Sequence, residues 1–155
     1  MPFEVSQVAM IVRDLDASMA VYQKTHGWGP WDVYEYRPPR LRDLQMRGVP
    51  VDCSWQGAET MVGGVGIELL QPLSPNGVFA EWLDTHGEGV HHIGYWAPTM
   101  DQADAIRAAL AATGAEELVS AWIDDVYFFY MDTRPVVCEV WTGDMASVRA
   151  SRRYP

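Results

Sequence analysis

The chain has 155 residues, enough for one ordinary domain, and 48% of them are hydrophobic, which excludes an intrinsically disordered protein. Its 21 acidic residues outnumber 11 basic ones, and the net charge of -10 disfavours nucleic acid or anionic membranes as partners. No apolar run approaches the roughly 18 residues of a membrane span, and MPFEVSQVAM lacks the pattern of a secretory signal. We therefore expect one cytoplasmic domain over 1–155.

The first part of the sequence predicts a strand, a helix and three further strands. FEVSQVAMIV (3–12) is rich in β-branched residues, and Asp14 follows as the cap of a helix that Gly27 ends. The next three strands are predicted for WDVYEY, VPVDCSW and VGIELLQP, at 31–36, 49–55 and 65–72. The arginine-rich segment between the first two of these is predicted to be loop.

The second part repeats this order after a short helix over 78–86. VHHIGYWA predicts a strand and MDQADAIRAALAATG a helix, and three more strands are expected for EELVSAWI, DVYFFYM and VVCEVW. The pattern predicts an α+β fold of two βαβββ modules, about 1–76 and 88–144, followed by a polar tail over 145–155.

Metal-capable side chains interrupt the apolar first and last strands of both modules, at Gln7, Glu68, His92 and Glu139. Burying a carboxylate is costly unless it is paired or bound to a cation, so two carboxylates in the middle of apolar strands favour a divalent metal. Taken singly, Gln7 fits a solvated strand position and His92 a buried core histidine. The matched placement of all four favours a joint site.

The segments VSQVAMIVRDLDASMAVY, GIELLQPLSP, GEGVHHIGY and VVCEVW resemble, in order and spacing, the vicinal oxygen chelate superfamily. The resemblance covers residues 3–142 and is strongest to the methylmalonyl-CoA epimerase and glyoxalase I branches. It implies paired βαβββ modules that form curled mixed sheets around a metal-containing cavity. The family's ligand positions fall on Gln7, Glu68, His92 and Glu139. Epimerases usually carry His at the first position, whereas this ligand set resembles eukaryotic-type glyoxalase I.

One imidazole nitrogen and three side-chain oxygens suit Zn, Ni, Co or Mn. A dication stabilises the enolate that forms when a carbon next to a carbonyl loses its proton, which predicts an epimerase, isomerase or glyoxalase-like lyase acting on a small acyl metabolite. By resemblance, Glu139 and Glu68 are candidate bases. Asp52 is the match we identify for a further carboxylate that epimerases place on a neighbouring strand, and its alternative is an exposed strand residue.

Two groups of residues are candidates for substrate binding. Trp96 shares a strand face with His92, and Trp141 shares one with Glu139, so both are predicted cavity walls, with core packing as the alternative. Arg37 and Arg40 are candidates to clamp a carboxylate or the phosphates of an acyl thioester, with a solvated surface as the alternative.

A second class of function also fits the pattern, namely a non-catalytic small-molecule (drug) binding protein on the same fold. Such a binder would contain no stoichiometric metal. An iron dioxygenase is disfavoured, because its two-His-one-carboxylate site needs a second histidine where Gln7 stands. By analogy with the family, we expect a homodimer.

Overall fold

The structure, a computed structural model, describes residues 4–155, so Phe3 at the start of the first predicted strand lies outside the described residues. The helices are Leu15–His26 (α1), Val78–His86 (α2) and Met100–Ala112 (α3). The strands are Val5–Ile11 (β1), Trp31–Tyr36 (β2), Leu41–Met46 (β3), Val49–Pro50 (β4), Trp55–Val62 (β5), Val65–Pro72 (β6), Gly89–Trp96 (β7), Glu116–Ile123 (β8), Val126–Asp132 (β9), Val137–Thr142 (β10) and Arg152–Tyr154 (β11).

The strands form a curled mixed sheet in the order β11-β2-β5-β6-β1-β7-β10-β9-β8-β3-β4. The first strands of the two modules, β1 and β7, are antiparallel neighbours at its centre. Each pairs in parallel with the last strand of its own module, β1 with β6 and β7 with β10. The predicted α+β fold of paired βαβββ modules is confirmed, and the first and last strands of both modules lie side by side.

The helices cover the outside of the sheet and begin where the sequence predicts. The Asp14 side chain accepts a hydrogen bond from the Ala17 amide at 2.9 Å, and Gly27 ends α1 in the left-handed conformation at φ 70°. The buried face of α1, with Leu15 and Met19, packs against the sheet around Trp31. Within residues 4–155, none of the helices has both the length and the hydrophobicity needed to cross a membrane.

The predicted strand over 49–55 is wrong in its position. Val49–Pro50 forms only a two-residue strand, and the long strand of this region is β5, from Trp55 to Val62. Gly63 and Gly64, at φ 58° and 85°, form the tight turn between β5 and β6. Asp52 therefore lies in the loop between the short β4 and the long β5.

The arginine-rich segment predicted to be loop contains β3, which pairs with β8 of the second module. Its alternation is broken because Asp43 has φ 53° and the β3–β8 register shifts between Arg42 and Gln45. Such a bulge moves the following side chains to the other face, which hides the strand from a two-residue periodicity.

The C-terminal segment contains a short strand that its polar composition did not predict. Residues Arg152–Tyr154 pair with β2 in antiparallel fashion, and Tyr154 packs near Trp31. This strand forms one edge of the sheet.

Candidate active site

The four predicted ligands stand on four adjacent strands, β6, β1, β7 and β10, in two neighbouring rows of the sheet. One row pairs Gln7 with Gly94 and Gly94 with Glu139. The other pairs Glu68 with Ala9 and Ala9 with His92. Residues two apart on a strand share a face, so all four polar side chains point to the same side.

Glycine and alanine stand beside each of these polar side chains and leave the space into which they extend. At Gly94, a Cβ atom would lie 2.9 Å from Gln7 Oε1 and 3.0 Å from Glu139 Oε2, closer than real Cβ contacts allow. The Gln7 and Glu139 side chains therefore approach each other across the backbone of β7. This close approach explains why β7 carries glycine at that position.

The centre of the site is a buried histidine between two buried carboxylates. His92 Nε2 lies 3.4 Å from Glu68 Oε2 and 3.3 Å from Glu139 Oε2. The exposed fractions are 0% for His92, 4% for Glu68 and 7% for Glu139. These same three atoms have no hydrogen-bond partner within residues 4–155. Buried polar atoms are normally satisfied, so the three indicate a place for a further group.

The electrostatics of this centre favour positive charge. Burial alone disfavours the His92 imidazolium, but the carboxylates of Glu139 and Glu68 overcome that effect and raise the pKa of His92 to about 9. Burial raises the pKa of Glu68, and His92 opposes the increase.

A residue missed by the sequence analysis, Glu59 on β5, completes the acidic group. Glu59 pairs with Glu68 across the β5–β6 hairpin, and its Oε1 accepts a hydrogen bond from Gln7 Nε2 at 3.5 Å. Burial, followed by the charges of Glu68 and Glu139, raises the pKa of Glu59 well above its ordinary value. Glu59 lies on the strand next to the ligand row, where a separate acid or base can act.

Asp52 is not part of this site, which corrects the prediction that placed a further carboxylate there. It is exposed in the loop before β5, and its backbone carbonyl accepts a hydrogen bond from Asn76 Nδ2 at 2.9 Å. The sequence feature that could have identified the correct carboxylate is the hairpin turn at Gly63 and Gly64. A two-residue turn pairs residue 62 with 65 and therefore 59 with 68.

The polar centre forms the floor of a cavity of about 220 Å³, with walls from both modules. The residues that line it include Gln7, Tyr36, Trp55, Glu59, Met61, Glu68, Phe128, Tyr130, Glu139 and Trp141. Tyr36 and Trp55 stack at 5.1 Å, and Trp55 meets Phe128 edge-on at 6.4 Å.

The two tryptophans predicted as cavity walls have different positions. Trp141 lies in the cavity lining, as its place two residues after Glu139 predicts. Trp96 lies outside that lining, is 49% exposed and packs against Trp141 at 6.2 Å. Strand parity gives the face correctly, but Trp96 stands four residues, or about 13 Å, along the strand from His92.

The two arginines predicted to bind substrate are paired outside the cavity. Arg37 contacts Glu35 at 2.5 Å on the surface. Arg40 donates three hydrogen bonds, from Nε and Nη2, to Asp124 in the β8–β9 turn of the second module, the shortest at 2.5 Å. Neither arginine belongs to the residues that line the cavity. Arg40 thus joins the two modules.

His91 lies on the opposite face of β7 and is fully buried beneath α2. Its Nδ1 is 2.8 Å from Nδ1 of His92, so the two rings share one hydrogen bond. Burial, assisted by the positive charges of His92 and His86, lowers the pKa of His91 to about 2. A neutral His91 therefore supports the His92 ring from behind.

The donor set suits a divalent ion, although the described residues do not form a finished site. Within residues 4–155, no three or more His, Cys, Asp and Glu side chains have the arrangement of a formed metal centre. The imidazole is instead ion-paired to its neighbours at 3.3 and 3.4 Å. Ligands of one tetrahedral zinc lie about 3.3 Å apart, so these two separations are compatible with donors that share one ion.

Comparison with known proteins gives one family match, over residues 6–130, to the Glyoxalase/Bleomycin resistance protein/Dioxygenase superfamily. The chain belongs to this superfamily. The resemblance seen in the sequence motifs, to the vicinal oxygen chelate proteins, is thereby confirmed. No curated protein matches the sequence.

Several solved structures have a similar fold. A methylmalonyl-CoA epimerase in complex with methylmalonyl-CoA and NH4+ has a TM-score of 0.63 at 22% identity, covering 97% of this chain and 99% of that one. Mycobacterium tuberculosis methylmalonyl-CoA epimerase scores 0.62 at 18% identity, covering 92% and 91%. The hypothetical protein BH1468 from Bacillus halodurans C-125 scores 0.67 at 16% identity, covering 93% and 96%. These likenesses support the fold of the chain.

Proposed function

We propose that this superfamily member is a divalent-metal-dependent enzyme that removes a proton next to a carbonyl group, as an epimerase, isomerase or glyoxalase-like lyase acting on a small acyl metabolite. The observation that carries the proposal is the convergence of three buried atoms, in which His92 Nε2 lies 3.4 Å from Glu68 Oε2 and 3.3 Å from Glu139 Oε2 without forming a hydrogen bond. Without a metal, only the ion pair with His92 would offset the burial of the two carboxylates, whereas a cation would satisfy all three atoms together.

The residues that would hold the ion are Gln7, Glu68, His92 and Glu139, and their donors suit Zn, Ni, Co or Mn. A bound dication would polarise the substrate carbonyl and stabilise the negative charge that develops on its oxygen. The protein's own contribution is to hold the substrate carbon beside a base and to exclude water from the cavity.

Glu59 is the best-placed base. It lines the cavity, stands beside the ligand row, and is oriented by the hydrogen bond from Gln7. A raised pKa brings a carboxylate nearer to the operating pH, where it both accepts and returns a proton effectively. Asp52 is too exposed and too distant from the cavity lining to share this role.

Glu139 lines the cavity from the second module and is the second candidate base, while Glu68 is the carboxylate closest in register to Glu59. Two carboxylates on different sides of one substrate would let a proton leave one face and return to the other, as an epimerase requires. A single active carboxylate would suit an isomerase or a lyase.

The drug-binding alternative retains one supporting observation, which is that the described donors do not form a finished metal centre. Under that hypothesis the cavity would bind its ligand without metal, and Glu139→Gln would leave the affinity unchanged. The homodimer and the cytoplasmic location stay predictions.

The test combines elemental analysis of the purified protein with deuterium exchange from D2O into candidate carbonyl substrates, including acyl thioesters and hemithioacetals. The proposal expects about one dication per chain and exchange that is lost on chelation and restored by metal. Stable folding and ligand binding without metal, together with no exchange in any substrate class, would favour the binder.

A further inference from the structure

Five of the described residues that line the cavity are aromatic. Tyr36, Trp55, Phe128, Tyr130 and Trp141 surround the space above the carboxylates, contributed by β2, β5, β9 and β10. Flat apolar groups pack well between such rings, because stacked and edge-on contacts add to the burial of apolar surface. A substrate that binds mainly through contacts with these walls would have a large apolar group.

The ionisable groups that line the cavity are carboxyl and phenol groups, which are either negative or neutral. Glu59, Glu68 and Glu139 line it, and no lysine or arginine stands among the described residues of its wall. A dication bound at the floor would offset part of this charge next to the reacting carbonyl. A carboxylate or phosphate placed elsewhere in the cavity would meet the walls without a cation to pair with.

The arginines that could have supplied that cation are already paired. Arg37, Arg40 and Arg47 contact Glu35, Asp124 and Glu81 respectively, all within 2.7 Å. Arg40 and Arg47, at the two ends of β3, thus link it to the β8–β9 turn and to α2, whereas Arg37 pairs locally with β2.

The size of the cavity limits the ligand further. An apolar cavity of about 150 Å³ holds benzene, and pockets for drug-sized molecules are about 300–1,000 Å³. The 220 Å³ cavity therefore accommodates one ring and a few additional atoms.

We infer that the substrate is an uncharged carbonyl compound with a single aromatic or similarly sized apolar group, and that compounds bearing a carboxylate on that group bind at least tenfold more weakly. The inference rests on the proposed function in taking this cavity as the substrate site. It separates this chain from the methylmalonyl-CoA-bound neighbour that shares its fold, because methylmalonate carries a carboxylate.

The test uses two ligands that differ in one remote charge, propiophenone and 4-propionylbenzoate. Calorimetric titration of the full-length, zinc-saturated protein is expected to show propiophenone binding at least tenfold more tightly. A smaller preference in the same direction is expected in Glu59→Gln, which removes one of the three lining carboxylates and binds without moving a proton. Equal or tighter binding of 4-propionylbenzoate, or no saturable binding of propiophenone, would overturn the inference.

Met61 offers a matched pair of variants, because it lines the cavity and is 67% exposed. Met61→Arg would add a cation at the rim and is expected to reduce the preference for propiophenone by at least tenfold, whereas Met61→Gln would leave it unchanged. Circular dichroism verifies that each variant is folded, and Met61→Lys replaces the arginine variant if that one is not. An unchanged preference in the folded cationic variant would contradict the electrostatic explanation.

Deuterium exchange separates this inference from the proposed function. Tight binding of propiophenone without exchange of its α-hydrogens would support the ligand class and contradict the proposed reaction. Exchange confined to 4-propionylbenzoate or methylmalonyl thioesters would support the reaction and overturn the ligand class.

Discussion

The two modules resemble each other in the residue that the last strand contributes to the site, and they differ in the residue that pairs with it across the preceding hairpin. The last strand of each module carries a buried glutamate, Glu68 on β6 and Glu139 on β10. Across the preceding hairpin, Glu68 faces Glu59, whereas Glu139 faces Tyr130. The repeated backbone fixes where the side chains converge, and the partner residue decides what each side can do.

This difference assigns separate tasks to the two sides. Burial raises the pKa of Tyr130 well above its ordinary value, and the charges of Glu139 and Glu68 raise it further, so its hydroxyl stays protonated and donates hydrogen bonds. Glu59 can exchange a proton, and Tyr130 can orient an oxygen. The proposed proton transfer therefore belongs mainly to the first module.

The largest expected effect comes from Glu59→Gln. Removing a positioned general base costs about 10²–10⁴-fold in rate, so substrate deuterium exchange should fall by at least a hundredfold. The amide is nearly the same size as the carboxylate and lies outside the proposed ligand set, so dication affinity measured with a chelator dye should change less than threefold.

Tyr130→Phe is the matched variant in the second module, and it should slow exchange less than tenfold because the ring and its packing remain. If Tyr130→Phe proved more damaging than Glu59→Gln, the assignment of proton transfer to the first module would be reversed.

A second prediction concerns the residues that the modules share. Dication at about 1,000 times its dissociation constant should stabilise the wild-type protein against unfolding by about 4 kcal/mol. In Glu68→Gln and Glu139→Gln, removing a buried carboxylate should abolish most of that gain at the same concentration. Denaturant unfolding with and without metal measures it, and Glu35→Gln on the surface is the control. Equal stabilisation of all variants would place the ion elsewhere.

The sequence predicted the second module more accurately than the first, for a local reason. In the second module, apolar strands follow one another with short turns. The periodicity of the apolar residues and the positions of the turn residues therefore indicate the same strands, EELVSAWI, DVYFFYM and VVCEVW. In the first, the bulge at Asp43 disrupts the alternation of β3, and VPVDCSW has a strand-like composition although its pairing begins only at Trp55.

In the site, too, the sequence identified residues that interrupt a strand pattern, but it did not predict where the surrounding loop residues lie. Gln7, Glu68, His92 and Glu139 could be identified because each interrupts an apolar strand, and the sheet places them on one face. Whether the arginines reach the cavity depends on which acidic residues they pair with in the folded chain, and the periodicity of the sequence does not contain that information. One further sequence feature, the glycine turn between β5 and β6, fixes which residues pair across that hairpin and thereby identifies Glu59 as the partner of Glu68.

A smaller effect is expected from exchanging the residues that stand opposite the two glutamates. Ala9 faces Glu68 in the first module, and Gly94 faces Glu139 in the second. Gly94→Ala should cost about 1–3 kcal/mol of unfolding free energy, because its Cβ would crowd Gln7 and Glu139. It should also weaken dication binding at least tenfold, measured by calorimetry.

Ala9→Gly is the reciprocal change and creates no such crowding, so it should cost only about 1 kcal/mol through backbone entropy and leave dication affinity within threefold. Equal losses of metal affinity in both variants would show that the two modules are interchangeable at this position.

The smallest expected effect tests the contact that joins the modules. Arg40 pairs with Asp124 through three hydrogen bonds in a partly exposed position, with side-chain exposures of 31% and 26%. Arg40→Gln should therefore lower the unfolding free energy by no more than about 1 kcal/mol. Because the arginine lies outside the cavity lining, kcat/KM for proton exchange should stay within twofold of the wild type. Asp124→Asn removes the same ion pair from the other module and should match it in both measurements. A larger loss of kcat/KM in Arg40→Gln alone, at equal stability, would mean that the guanidinium acts on the substrate and that the first module supplies charge as well as a base.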